Sequence, residues 1–368
     1  MEKLKVLVMV PYLNGTGGTE TVIKNLNSAY MQSDQKSRYE LKLISFGGSK
    51  KIKWLEDWDK TVYSFSNSRF LQMIMYVIAM PMLCLKTILT EKPDAVVCTN
   101  PVIWEVVYFL RTLTKKNFKI YAWYHYSIKQ KRVSSSALKR CDHFFAISTG
   151  IAKQLTEIGV DEYRITVLTN PVILDKSVKL IPRSNKSGCG DVTTHFLYVG
   201  RIDFDAQKNV QELFKALVFV QGEWKLDLFG TYSNRDKEAL VAIAKRHGFT
   251  ERIVFRGFNS DVWNNIRTAD ALVLTSNYEG FPMILCEAIS HGIFAVSSDC
   301  ETGPADIIQE DNGRLYTPGN TLQLAEILTS ICHNRLPIPS GQTISNTMNK
   351  FGQENFIHVF EDCIINAR

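Results

Sequence analysis

The sequence predicts an α/β protein made of two doubly wound parallel-sheet domains. Three observations carry that expectation. Short apolar strands alternate with helical stretches along most of the chain. The alternation stops in residues 171–194, a stretch with Pro171, Pro182, Gly188, Gly190 and several serines and lysines, and then starts again. The chain has 368 residues, more than one hydrophobic core usually organises.

In order along the chain, Lys5–Val10 (KVLVMV) reads as a buried strand, broken by Gly15–Gly18 before a helix over Thr19–Tyr30. Glu40–Phe46, Ala95–Cys98, Ile120–Tyr124 and Phe144–Ile147 read as further strands with helical stretches between them. Phe70–Leu85 is the most apolar stretch, 16 residues with Gln72 inside and Pro81 near its end. It falls short of a spanning helix and reads as a buried or interfacial one. Beyond residue 194, strands are expected at Phe196–Val199, Lys225–Phe229, Ile253–Arg256, Ala271–Thr275 and Ala295–Ser297. Helices are expected from Val210, Asp236 and Met283, and a last one over Lys350–Ile365. The domains are therefore expected at 1–170 and 195–349, joined by a linker at 171–194. In this architecture ligands bind beyond the carboxyl ends of the strands, which predicts a cleft between two such sheets.

A hydrophobic content of 45% with 11% aromatics excludes disorder, collagen and coiled coil. Eight cysteines include no C-x-x-C pair, and none clusters with histidine at zinc spacing. Reduced thiols in a cytoplasmic setting fit that pattern. Met1–Val10 lacks the segments of a signal peptide. Residues 1–170 carry 24 Lys and Arg against 14 Asp and Glu, whereas 171–368 carry 19 against 23. A basic half beside an acidic half suggests an anionic partner. Nucleic acid is disfavoured, because no aromatic-studded basic run or reading helix is apparent. An anionic membrane surface suits Lys115, Lys116, Lys129, Lys131, Arg132, Lys139 and Arg140 with apolar Phe70–Leu85 and Trp104 nearby in sequence.

Several residues carry candidate chemistry. Gly15-Thr16-Gly17-Gly18-Thr19-Glu20 joins a strand to a helix, where glycines admit a ligand and the helix N-terminus favours an anion. The spacing is G-x-G-G rather than G-x-G-x-x-G, and no acid ends the second strand, so a tight turn, a phosphate site or a sugar site is favoured over a dinucleotide. Arg201 and Lys208 flank a polar loop and could clamp a diphosphate, or simply be surface charge. Asp203-Phe204-Asp205 has a metal-binding spacing, but Asp57-Trp58-Asp59 repeats it elsewhere, and neither a metal nor another cofactor is expected. Glu279-Gly280-Phe281-Pro282-Met283 with Glu287 places two carboxylates eight positions apart, either two turns along one helix or on either side of a turn whose N–H groups open the helix. His125 ends a strand, where it could bond a sugar hydroxyl or serve packing alone.

The ordered series Gly17-Gly18-Thr19-Glu20, His125, Gly200-Arg201, Lys208 and Glu279-x7-Glu287 resembles glycosyltransferase family 4. Tyr198-Val199-Gly200-Arg201, Ser297-Ser298-Asp299-Cys300 and Leu315-Tyr316-Thr317-Pro318-Gly319 are most similar to its lipopolysaccharide-galactosyltransferase branch. The resemblance implies a retaining, metal-independent enzyme with two facing Rossmann-like domains, the GT-B fold, and an active site in the cleft. It implies a UDP-hexose donor, galactose or glucose, and a cell-envelope glycan or glycolipid acceptor such as a lipopolysaccharide core. Teichoic acid, capsule and protein-linked glycans are the alternative acceptors. A sugar-nucleotide epimerase and a non-catalytic binding scaffold are the rival functions.

By the same resemblance Arg201 and Lys208 hold the leaving diphosphate. Glu287 accepts the ribose hydroxyls. Glu279 holds the donor sugar, with the N–H groups of Gly280, Phe281 and Met283 nearby. Gly17 and Gly18 approach phosphates or acceptor, and His125 bonds the donor sugar. The last helix, 350–368, crosses back to the first domain. The enzyme is expected at the cytoplasmic side, peripheral at the inner face of the plasma membrane.

Overall fold

The computed structural model describes residues 3–15, 17–65, 68–173, 178–184 and 193–365. Thr16, Gly188 and Gly190, invoked above, lie outside them, as does Cys189, one of the eight cysteines. The chain forms two compact units: residues 1–173 with 351–368, and residues 174–350.

The first unit contains β1 (Leu4–Val10), α1 (Gly18–Gln32), β2 (Tyr39–Gly47), β3 (Lys60–Ser64), α2 (Arg69–Glu91), β4 (Ala95–Cys98), α3 (Pro101–Thr114), β5 (Lys119–Ala122), α4 (Ser135–Leu138), β6 (His143–Ala146), α5 (Thr149–Glu157) and β7 (Ile165–Val167). Its strands are all parallel, in the order β3-β2-β1-β4-β5-β6-β7. The central β1 and β4 are almost wholly buried, as a parallel strand covered on both faces must be, so their sequences are apolar runs interrupted only by the half-buried Lys5. Two helix starts are set by local chemistry. Asn100 Oδ1 accepts the Val102 N–H at 2.9 Å beside Pro101, and Ser148 Oγ accepts the Ile151 N–H at 3.2 Å.

Helix α2 departs from expectation in two ways. It runs for 23 residues, straight through Pro81. It is also buried on one face only: Met80, Cys84 and Ile88 are covered, while Phe70, Met73, Val77, Ile78 and Met82 are 62–75% exposed. Trp104, expected beside a docking face, is instead fully buried in α3 and donates its indole N–H to Ala137 O at 3.1 Å.

The second unit contains β8 (Thr194–Val199), α6 (Val210–Leu217), β9 (Trp224–Phe229), α7 (Asn234–Arg246), β10 (Ile253–Gly257), α8 (Val262–Asn265), β11 (Ala271–Leu274), α9 (Met283–Ser290), β12 (Phe294–Ser298), α10 (Pro304–Ile307), β13 (Gly313–Tyr316), α11 (Thr321–Cys332) and α12 (Gly341–Asn346). Its sheet is also all parallel, ordered β10-β9-β8-β11-β12-β13.

The last helix, α13 (Gln353–Ile365), belongs to the first unit. Phe356 meets Trp123 with ring centroids 6.0 Å apart, and Phe360 meets Phe145 at 5.6 Å. Glu361 Oε1 accepts from Tyr39 Oη at 2.9 Å and from Ser33 Oγ. Among the described residues seven cysteines are present and none forms a disulfide.

In both sheets the strand order reverses beside the first strand, between β1 and β4 and between β8 and β11. Loops leaving the carboxyl ends of those neighbours diverge to opposite faces, and a ligand can sit where they part. Gly17, Arg201, Lys208, Glu279, Gly280 and Phe281 fall on these loops, whereas His125 follows β5 and Glu287 lies in α9.

Candidate active site

In the second unit the β8 loop carries Arg201 to Asn209 and the β11 loop carries Thr275 to Pro282. Because β8 and β11 are neighbours, residues about seventy apart in sequence meet. Lys208 Nζ lies 2.6 Å from Glu279 Oε1, with the two side chains 17% and 8% exposed. The same oxygen accepts from Ser276 Oγ at 2.6 Å.

The two loops are joined by more than this ion pair. Asn277 donates its backbone N–H to Gln207 O at 2.8 Å and its side-chain N–H to Ala206 O at 2.7 Å. Thr275 Oγ1 donates towards Lys208 O and Asn209 O, each at 3.1 Å. A loop bound this way has few conformations left to lose when a ligand arrives.

Asp203 organises the β8 loop. Its Oδ1 accepts the N–H groups of Lys208 at 2.9 Å and Asn209 at 3.0 Å. Its Oδ2 accepts Arg201 Nε at 3.2 Å. Arg201 also reaches Gln207 Oε1 at 3.2 Å but stays 56% exposed, so its guanidinium can turn to an anion. Asp205 is exposed. Among the described residues no group of three or more His, Cys, Asp or Glu side chains could hold a metal ion.

Glu279 lies in the loop and Glu287 in the second turn of α9, so a turn separates the two carboxylates. The helix opens at Met283 behind Pro282, which has no N–H and supplies no capping side chain. Gly280 is half-buried, and Phe281 and Met283 are buried. This turn rests on the β12 loop. Thr302 Oγ1 donates to Glu279 O. Gly303 sits so close that a Cβ there would stand 2.8 Å from Gly280 O and 2.7 Å from Pro282 Cδ.

Glu287 is half-buried, and burial pushes its carboxyl above the usual range. The Trp263 indole opposes that shift by donating to Glu287 Oε2 at 3.1 Å. The Trp263 ring is itself stacked on His291, centroids 5.0 Å apart.

In the first unit Gly17 precedes α1 and Gly18 begins it. Glu20 is buried and folds back over this end, its Oε1 accepting the Gly15 N–H at 2.7 Å. A Cβ on Gly17 would meet Glu20 Oε2 at 2.7 Å, whereas one on Gly18 would meet nothing within 4 Å. His125 follows β5 and is buried beside the Trp123 ring, 4.6 Å between centroids. Neither of its ring nitrogens has a hydrogen-bond partner among the described residues. Burial pushes the imidazole down to about 3, with the Asn170 side chain pulling weakly the other way, so it is neutral at physiological pH. A neutral imidazole offers one donor and one acceptor, the pair a hydroxyl needs.

The structure thus brings Lys208, Glu279 and Arg201 together on adjoining loops, sets Glu287 one helix turn beyond them, and places Gly17, Gly18 and His125 on the first unit. Sequence reasoning gave no role to Ser276 or Trp263, read Asp203 only as a metal-spaced acid, and quoted Glu20 within the Gly17-Gly18-Thr19-Glu20 motif without assigning it one. Only Glu20 had a sequence signal: it stands three residues after Gly17, the spacing at which a glutamate reaches back over a helix start.

The chain is similar to known glycosyltransferases. Residues 16–176 match the Glycosyltransferase Family 4 profile, and residues 184–354 match that of Glycosyl transferases group 1. The chain is 34% identical to a lipopolysaccharide 1,6-galactosyltransferase of Salmonella typhimurium over 86% of each chain. It is 32% identical to the Escherichia coli protein of the same description over 99% of each. The solved structure of the lipopolysaccharide outer core galactosyltransferase WaaB superposes with a TM-score of 0.84 at 30% identity, covering 99% of this chain and 100% of that one. Anabaena HepE in complex with UDP, at 16% identity and a TM-score of 0.79 over 98% of this chain and 99% of its own, shares the fold.

Proposed function

The chain belongs to glycosyltransferase family 4, and from that premise we propose that it moves a hexose, galactose or glucose, from a UDP-sugar to a hydroxyl of a lipopolysaccharide core or a similar cell-envelope glycolipid. It is a hexosyltransferase with two Rossmann-like units of the GT-B kind. The observation that carries the reading is Lys208 held 2.6 Å from Glu279 where the β8 and β11 loops part. A cation beside a hydroxyl-binding carboxylate suits a sugar joined to a diphosphate.

In this reading Lys208 exchanges Glu279 for the diphosphate, joined by Arg201, and the freed Glu279 accepts hydroxyls of the sugar. Glu287, oriented by Trp263, accepts the ribose hydroxyls. The N–H groups around Gly280, Phe281 and Met283 line the same turn. His125 bonds a hydroxyl of the donor sugar, and Gly17 and Gly18 leave room for phosphate or acceptor. The acceptor oxygen attacks the anomeric carbon from the side the diphosphate leaves, so configuration is retained. The bond to the diphosphate breaks, and the leaving phosphate takes the hydroxyl proton. Fixed cations stabilise the charge that develops on the diphosphate, the largest single contribution in such sites. No metal is needed for that charge. The enzyme works at the inner face of the plasma membrane, where a glycolipid acceptor and an anionic surface meet it.

A screen of UDP-sugars for UDP release, with and without EDTA, tests the reading. UDP-galactose or UDP-glucose is expected to be turned over in both conditions, and faster with a lipopolysaccharide-core acceptor. Release from no UDP-sugar removes the reading. Full loss with EDTA, restored by Mg²⁺ or Mn²⁺, returns Asp203 and Asp205 to consideration as ligands.

A further inference from the structure

Helix α2 is fixed to its sheet by one face. Tyr76 Oη accepts the Tyr12 N–H at 2.5 Å and donates to Phe46 O at 2.6 Å. Tyr63 Oη lies 3.1 Å from Thr87 Oγ1, and Met80, Cys84 and Ile88 are buried. These contacts decide which face looks outward. That face carries Phe70, Met73, Val77, Ile78 and Met82, and residues 70–85 contain no charged side chain. The outward face of a helix on a water-surrounded domain is normally polar. Helix α3 packs beside α2 and continues the pattern: Val102, Phe109 and Leu113 are exposed along one stripe.

The carboxyl end of α3 supplies the charge. Arg111, Lys115, Lys116 and Lys119 line a cavity of about 440 Å³ in which Asp142, held by Arg111, is the one acidic residue. Residues 69–119 hold seven Lys and Arg against three Asp and Glu. The basic residues further along are engaged elsewhere. Lys129 pairs with Glu157, Arg140 pairs with Glu105, and Lys131 lies over the Tyr126 ring.

We propose that the outward face of α2 and α3, with the cationic pocket at the end of α3, docks the enzyme on a leaflet of anionic phospholipid. The apolar side chains enter the acyl boundary, and the exposed Lys115, Lys116 and Lys119 meet the headgroups while Arg111 stays paired with Asp142. This deepens the reading of a membrane-resident acceptor and rests on it for its purpose, though not for the contact itself. Phe70–Glu91 is long and apolar enough to cross a membrane. Its inner face is committed to the sheet, so it lies along the surface. A second copy fits poorly, because a symmetric pairing sets one positive region against another.

Flotation with vesicles of phosphatidylcholine plus phosphatidylglycerol, against phosphatidylcholine alone, is the test. The parent is expected to float with the mixed vesicles, less so at high salt. Met73→Asp with Val77→Asp, and separately Lys115→Glu with Lys116→Glu, should each weaken that binding roughly tenfold or more. Inorganic phosphate should not compete, since a free anion lacks the acyl surface. UDP release from a UDP-hexose in vesicle-free buffer should be unchanged in both variants, which shows that they are folded. Parent-like flotation of both variants overturns the proposal. So does a parent dimer, seen by light scattering, that Met73→Asp with Val77→Asp splits, because the face then belongs to a second copy. A parent that floats but releases no UDP keeps the docking surface and removes the transferase reading. One that releases UDP but never floats does the reverse.

Discussion

The Lys208–Glu279 pair already neutralises itself, so the binding of a diphosphate must break one charge pair to make another. That exchange loses little if the new partner carries more charge, and it makes the cation available only when a donor arrives. Arg201→Ala and Lys208→Ala are each expected to remove about 2–4 kcal/mol of transition-state stabilisation; near-parental kcat in both variants ends the leaving-group role. Glu287→Ala should weaken UDP itself, because a ribose contact does not need the sugar. Glu279→Ala should keep UDP affinity and lose turnover of the UDP-sugar. Calorimetry with UDP separates the two, and equal losses would mean the roles are wrongly divided. His125 supports a pH prediction. Its folded value, about 3, lies below the usual 6.5. The unfolded chain therefore binds the proton first as pH falls from about 6.5 towards 3, and stability present above that window is lost within it, by up to about 1.4 kcal/mol per pH unit. His125→Phe should flatten urea-measured stability between pH 6.5 and 4.5 by one proton's worth. Equal slopes in parent and variant would show that the imidazole is not buried neutral.

Two glycines separate packing from function among the elements that carry the site. Gly303 has φ of 93° and abuts Gly280 O and Pro282 Cδ. Gly303→Ala should push the α9 turn aside, costing roughly 1–3 kcal/mol of stability and lowering kcat. Gly18 starts α1 with open space around it, so Gly18→Ala should leave stability equal or slightly raised. A fall in activity for Gly18→Ala alone would then report a ligand at that helix end; unchanged activity would clear the glycine of such a role. The elements also show what a sequence can disclose. β1, β4, β8 and β11 are legible because central parallel strands are mostly apolar, broken here only by Lys5 in β1 and by Thr194 and His195 at the start of β8. β3, β7 and β13 escape notice because they are edge strands, half-exposed and with polar residues mixed in, as in KTVYS, whereas the edge strand β10 keeps an apolar start in Ile253-Val254-Phe255. The site divides likewise. Arg201, Lys208, Glu279 and Glu287 stand out by type and spacing. Their partners Asp203, Ser276 and Trp263 do not, because partnership depends on which strands lie side by side and how side chains turn, and that is a property of strand order. The exposure of α2 could not be read either, since an apolar run looks the same whether it faces a core or water.

At the scale of the molecule, the last helix joins the two ends of the chain into one unit. α13 follows a 177-residue unit, yet it packs on the first. Phe360 is fully buried against Phe145, Tyr121 Oη donates to Cys363 O at 3.0 Å, and Glu361 takes the hydroxyls of Ser33 and Tyr39. The first unit therefore cannot complete its core until the second has been synthesised. Damage to α13 should be felt far from it in sequence. Phe360→Ala is expected to cost about 3–5 kcal/mol, the usual range for emptying a buried aromatic site. Hydrogen exchange shows where that loss falls. Faster exchange should appear in β2, β5 and β6, which carry Tyr39, Tyr121 and Phe145, while β8, β11 and β12 keep their protection. β8, β11 and β12 all lie within about 170 residues of Phe360, whereas β2, β5 and β6 lie more than 210 residues away, so distance along the chain predicts the opposite order. If protection is lost in β11 and β12 and kept in β2 and β5, α13 does not belong to the core of the first unit.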